Sequence, residues 1–168
     1  SAFIQEALDG GTESGLGWAI GQRLLSVRAP YQHLSLLATA ARLSIPMTVH
    51  VAIGTDIVHM QAGARGDAIG GASFVDFRLL AAVIADLTGG VYINAGSAVI
   101  LPEVFLKAFT IVQNRGANLH DFTTINIDMI QHYRPTMNVL QRPASVGGTA
   151  IMLNGRHELL IPLLAFAV

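Results

Sequence analysis

Asp, Asn, His, Thr and Arg collect at a few places in a chain otherwise poor in charge. These are Thr55-Asp56 with His59, Asn94-Gly96-Ser97, and Thr124-Asn126-Asp128 running into His132-Tyr133-Arg134. Each group follows a β-rich apolar run and precedes a helix-like stretch. In a parallel α/β sheet the strands' carboxyl ends point the same way, so such loops converge on one crevice. The residue types suit a small polar ligand. A carboxylate such as Asp56 accepts two hydrogen bonds from a ribose diol or an amine, and an Asx turn or helix cap explains the same residue equally well. His59 and His132 are candidate proton shuttles, although a lone histidine is more often structural. Arg134 can grip a phosphate or carboxylate in bidentate fashion, and Tyr133 can stack on a base. The alternative for that segment is a surface loop pinned by an Arg134–Asp128 pair.

Other motifs are less specific. Asn94-Gly96-Ser97 leads to a helix whose free N–H groups attract anions, but no Gly-Lys-Ser/Thr or full G-x-G-x-x-G follows. Glu103 falls in the first turn of that helix, where the helix dipole accounts for it. His157-Glu158 opens the last helix, with Glu158 again a natural first-turn residue. No H-x₃-H or H-E-x-x-H spacing supports a metal, and no nucleophile elbow is present.

The elements that must position these residues read as strands alternating with helices. Residues 1–12 form a lead-in. Helices are expected over 13–27, with Thr12 as cap, and over 31–43; a strand over 45–52; and a mobile Gly/Ala-rich loop over 63–72. Ser73 and Asp76 form a capping-box-like start for a helix to about Leu87. A strand at 91–94, a helix from Pro102 to before Gly116, a strand at 122–127, an aperiodic stretch over 128–148, a strand at 150–153 and a final helix from Arg156 complete the chain. The expected architecture is an α/β fold, a mostly parallel Rossmann-like sheet flanked by helices, in one domain over residues 1–168.

Hydrophobic residues make up 52% of the chain and charged residues 12%, against about 25% charged in an average domain. So little charge implies an apolar face covered by a second copy or another chain. The net charge of −1, without a Lys/Arg run, offers no footprint for nucleic acid or an anionic membrane. The longest apolar runs fall short of the ~20 residues of a membrane span. The start at Ser1, without an initiator Met, suggests a processed or trimmed N-terminus, and no secretory leader is read there. The absence of cysteine excludes disulfides and thiolate chemistry. A cytoplasmic location is the expectation.

The strings SLLATAARLSIPMTVHVAIGTDIVHM, GGVYINAGSAVILPEVFLKA, DFTTINIDMIQHYRPTMNVLQRP and GRHELLIPLLAFA, in that order, resemble the C-terminal half of deoxyhypusine synthase. They are closer still to a bacterial deoxyhypusine synthase-like branch. The resemblance covers residues 31–168 and implies a Rossmann-like fold, NAD bound between subunits and a homotetramer built from dimers. It also implies a reaction class: oxidation of spermidine with NAD and transfer of the aminobutyl group to a protein lysine, or to putrescine in a related bacterial activity. By position, the resemblance makes Asp56 an acid at the cofactor, sets Thr124 and Asp128 near cofactor-contacting residues, and makes Arg134-Pro135 the opening of the active-site loop. The candidate cofactor contacts are thus Thr55, Asp56, Thr124 and Asp128. Tyr133, Arg134 and Glu158 are candidate substrate contacts, and His132 and His59 candidate acid–base groups.

The departures matter as much. The family's loop continues with two acids, a Trp and the imine-forming lysine, where this chain has Thr136-Met137, Gln141 and Pro143. Arg142 stays protonated and forms no Schiff base. Pro102-Glu103 stands where the family has a His pair. Lys107, the only lysine, lies more than a turn along its helix and is expected to point away from the crevice. The family's N-terminal half has no counterpart in this chain, so either another chain supplies it or this branch stands without it. The leading expectation is an NAD-binding, deoxyhypusine synthase-like protein that lacks the lysine route. A non-catalytic subunit that pairs with another chain is the alternative, and an unrelated small-molecule enzyme with His132 or His59 as base is the third reading.

Overall fold

Three runs rich in Val, Ile and Thr pair as the strands β1 (Val91–Ala95), β2 (Thr123–Asp128) and β3 (Thr149–Asn154). They form a parallel sheet in the order β1-β2-β3, with Asn94 opposite Asn126 and Asp128 opposite Asn154. Parallel neighbours need a crossover. The first is the helix α5 (Ile100–Asn114). The second is a helical segment made of α6 (Tyr133–Pro135), a π-helical turn over Thr136–Gln141, and α7 (Arg142–Ala144). A final helix, α8 (His157–Ala167), follows β3. The Rossmann-like α/β sheet flanked by helices is therefore present. This computed structural model describes residues 2–9 and 11–168, and the chain falls into two compact units, Ser1–Leu80 and Ala81–Val168.

The second unit is built on one face of its sheet. Tyr92 stacks on Phe105 of α5 with ring centroids 3.7 Å apart, and Phe109 and Phe122 continue the aromatic row. Phe105, Phe122, Ile127 and Val139 are fully buried. The opposite face leaves Val91 58%, Ile93 40% and Ile151 39% exposed and is fully buried at Ile127 near its carboxyl edge. Parallel sheets are normally covered on both faces. Along α8, Leu159, Ile161, Leu163 and Phe166 are exposed as well.

The first unit is helical: α1 (Ala2–Leu8), α2 (Leu16–Ser26), α3 (Leu36–Leu43) and the first part of α4 (Gly66–Ala85), with short 3₁₀ turns at Gln32–Leu34 and Ile57–Met60. Leu8, Leu16, Ala19, Ala68, Ile69 and Ala72 form its core. Gly17 and Gly21 weaken helix propensity in α2, yet they are what lets it pack. A Cβ on Gly17 would lie 2.0 Å from the Met47 carbonyl oxygen, and one on Gly21 2.5 Å from that of Leu37.

Several sequence expectations change here. The predicted lead-in contains α1, and the predicted mobile loop over 63–72 is largely the first turns of α4. The strand expected over 45–52 belongs to no sheet. Its donors go elsewhere: Val49 N–H to the Asp76 carboxylate at 2.8 Å and Val51 N–H to the Ser73 hydroxyl at 3.1 Å. Ser73 and Asp76 are consequently mid-helix anchors rather than caps. The cap of α2 is Gly15 (φ +82°), not Thr12. Starting at Gly66, α4 is 20 residues long and apolar enough to cross a membrane by length and composition, unlike the shorter runs read from the sequence. Asp76, Ile69 and Ala72 are buried on it, and 28% of its apolar window is buried.

Candidate functional site

The carboxyl edge of the β1-β2-β3 sheet gathers the polar residues of the second unit. Asn94 and Asn126 sit on the buried face, 2% and 0% exposed, and occupy paired positions on neighbouring strands. Asn94 Nδ2 donates to Asn126 Oδ1 at 2.6 Å and to the Ser97 carbonyl at 2.9 Å. Asn126 Nδ2 donates to Gln131 Oε1, and Gln131 Nε2 to Asn154 Oδ1 at 2.8 Å. A relay of amides thus ties together all three strand ends and the β1–α5 loop. Buried amides are costly unless paired. The chain of bonds answers most of that demand, but Asn94 Oδ1 is left buried without a partner among the described residues.

Asp128 ends β2. Its Oδ1 accepts the Met129 N–H at 2.7 Å, while Oδ2 has no partner among the described residues and is not buried. His157, the first residue of α8, is half-buried, with Nε2 3.0 Å from the Ile127 carbonyl. That carbonyl also accepts the Gly96 N–H at 3.1 Å. Gly96 has φ +68°, and a Cβ there would lie 3.4 Å from the His157 ring, so glycine serves both the turn and the seating of the imidazole.

Behind the edge, Glu103 is a hub. Its Oε1 accepts from Asn138 Nδ2 at 3.0 Å and lies 3.3 Å from Arg134 Nε, and its Oε2 lies 3.7 Å from Lys107 Nζ. The sequence alternative paired Arg134 with Asp128; the structure pairs it with Glu103. Glu103 occupies the first turn of α5 as expected, but its partners give it a structural role that helix-dipole reasoning missed. The Glu103 and Lys107 side chains stand on one face of α5 as an i,i+4 pair.

Of the other candidate residues, His132 and Glu158 are exposed at the starts of α6 and α8, and Tyr133 is 75% exposed. Thr124 lies under the helical layer, 0% exposed, with Oγ1 unpartnered. Gln141 is exposed and Pro143 buried. Thr55, Asp56 and His59 belong to the first unit. No strand precedes them, so they do not sit at a strand end. Asp56 Oδ2 accepts the Ala52 N–H at 2.6 Å, four residues back along the chain, so the carboxylate closes its own loop without forming the Asx turn or side-chain cap considered from the sequence. His59 Nδ1 lies 3.0 Å from the Asp56 carbonyl, and its Nε2 is buried without a partner, which turns that nitrogen away from any ligand in solvent. Sequence reasoning gave little weight to Gln131, Asn154 and His157. Their signal was position, each next to the end of a parallel strand.

Among the described residues, no group of three His, Asp or Glu side chains is placed to hold a metal ion. The oxygens at this edge are hydrogen-bond acceptors, which suit a ligand group that donates, such as a hydroxyl, better than a phosphate. The Asp128 oxygen that has no partner among the described residues stands at a strand end, where ribose-gripping acids occur, whereas the unpartnered Asn94 oxygen is buried and meets no ligand in solvent. The fold and site define a parallel α/β protein with an amide-tied, acid-bearing strand edge. Comparison with protein-family models, curated proteins and solved structures finds no match for the chain.

Proposed function

We propose that the chain is a deoxyhypusine synthase-like protein that binds a dinucleotide, NAD by that resemblance, at the carboxyl edge of its sheet. We propose further that it does not use the family's lysine imine. The observation that carries this reading is the buried Asn94–Asn126 pair at adjacent parallel strand ends, with the carboxylate oxygen of Asp128 that has no partner among the described residues. Bound NAD supplies a hydride acceptor. The chain's own residues bind and orient. Asp128 accepts from hydroxyls, the amide relay from Asn94 to Asn154 holds the loops in register, Tyr133 offers an open ring face, and Arg134, braced by Glu103, directs its remaining N–H groups to an anionic part of the ligand. A spermidine-derived aminobutyl group is the substrate class that the resemblance suggests.

One observation favours a second reading, a binding or structural subunit in a homo-oligomer or paired with another chain. The partly exposed sheet face and the apolar α8 are the surfaces such a partner would cover. Titration calorimetry with NAD tests the first reading. The expected result is saturable binding weakened about tenfold by Asp128→Asn, the worth of one charge-assisted hydrogen bond. Absence of binding, or an affinity indifferent to Asp128, refutes it.

A further inference from the structure

We infer that His157, rather than His132 or His59, is the histidine that meets the ligand, and that it does so as a hydrogen-bond acceptor through Nδ1. The inference rests on the reading of the carboxyl edge as the ligand site. A carbonyl oxygen can only accept, so the 3.0 Å contact between His157 Nε2 and the Ile127 carbonyl puts the proton of the neutral ring on Nε2. Nδ1 then carries the lone pair. It makes no hydrogen bond with the described residues and is not buried.

The ring is held as well as oriented. It is seated against Gly96, on a carbonyl that also anchors the β1–α5 turn, one residue before Asp128. The other two candidates lack this combination. His59 buries its free nitrogen, and His132 is exposed with no side-chain bond to fix its ring among the described residues. A fixed acceptor at the strand end, held on the carbonyl one residue along the chain from Asp128, selects for a donor-rich ligand group, a hydroxyl of a diol or an ammonium. In either case Nδ1 is the atom placed to receive the donated hydrogen.

Long-range ¹H–¹⁵N correlation of the imidazole nitrogens at pH 8, with His157 assigned by its loss in His157→Gln, tests the inference in two stages. In the free protein the expected state is a single Nε2–H tautomer; an Nδ1–H ring, or averaging between tautomers, overturns the fixed acceptor whatever binds. NAD is then titrated. A shift of His157 Nδ1 together with the backbone amides of Asp128 and Asn154 supports the inference. Shifts of those amides without one at Nδ1 overturn it while leaving the edge as the binding site, and no shift anywhere overturns both. His157→Gln removes the δ acceptor while keeping a donor in reach of Ile127. It is expected to unfold like wild type and to lose about fivefold to tenfold in NAD affinity; unchanged affinity in that folded variant overturns the inference.

Discussion

Removing the carboxylate of Asp76 should loosen the whole first unit, because three segments meet on it. The side chain is 0% exposed on α4, and its Oδ2 accepts the Gly17 N–H of α2 at 2.9 Å and the Val49 N–H of the segment over 45–52 at 2.8 Å. Each buried donor left without an acceptor costs about 1–3 kcal/mol. Asp76→Ala strands both, so about 4 kcal/mol is expected, a large share of the 5–15 kcal/mol typical of a folded domain. Asp76→Asn keeps one acceptor oxygen and should cost about 2 kcal/mol. The pH dependence carries the sharper test. Burial raises the Asp76 pKa above its ordinary value, with the Val49 and Gly17 hydrogen bonds and the charge of His50 pulling it back only in part. A raised folded pKa means that the contribution is fully present below the unfolded value of about 3.9 and is lost as pH rises through the folded one. The stability difference between wild type and Asp76→Asn should therefore shrink from pH 3 to neutrality. Urea unfolding followed by circular dichroism across that range measures it. A cost below about 1 kcal/mol for Asp76→Ala, or a difference that grows with pH, would refute the reasoning.

His50 is shifted the other way: burial lowers its pKa, and the Asp76 charge offsets this in part. Its contribution is present above about pH 6.5 and lost as pH falls through the lowered folded value, so His50→Gln should flatten the decline of Tm just below pH 6.5; an unchanged slope would contradict this. Gly17→Ala drives a Cβ to 2.0 Å from the Met47 carbonyl and should cost about 3 kcal/mol in urea unfolding. Gly63→Ala, with open space around it, should change stability by less than about 0.5 kcal/mol, and equal effects would disprove the close-packing argument. Borohydride trapping with NAD and spermidine should leave Lys107 unmodified, and mass-spectrometric detection of an adduct on Lys107 would restore the imine route.

The second half of the fold was legible because its signals are local. β-branched runs, Pro102 and Glu103 in the first turn of α5 and Gly116 just past its end mark the strand–helix alternation, and the strand ends carry Asn and Asp. Residues 45–52 show where such reading stops. Their pattern reads as a strand, but whether the segment joins a sheet depends on which donors Asp76 and Ser73 capture from a distant helix. The segment over 128–148 had no period to read because a π-helical turn and two prolines break the helical repeat. At the site, Asn126 and Asp128 were visible as types at a strand end. The fixing of His157 by a carbonyl 30 residues earlier, and the bracing of Arg134 by Glu103, arise only when the chain folds.

Hydrogen exchange with and without NAD is the most direct test of the central claim, since it reports where a ligand settles without assuming a reaction. Saturating NAD should slow exchange in segments 94–99, 126–134 and 154–158, the three strand ends with their loops, and leave 52–60 unchanged. No protection at saturation, or protection confined to the Asp56 turn, would contradict a ligand site at the carboxyl edge of the sheet.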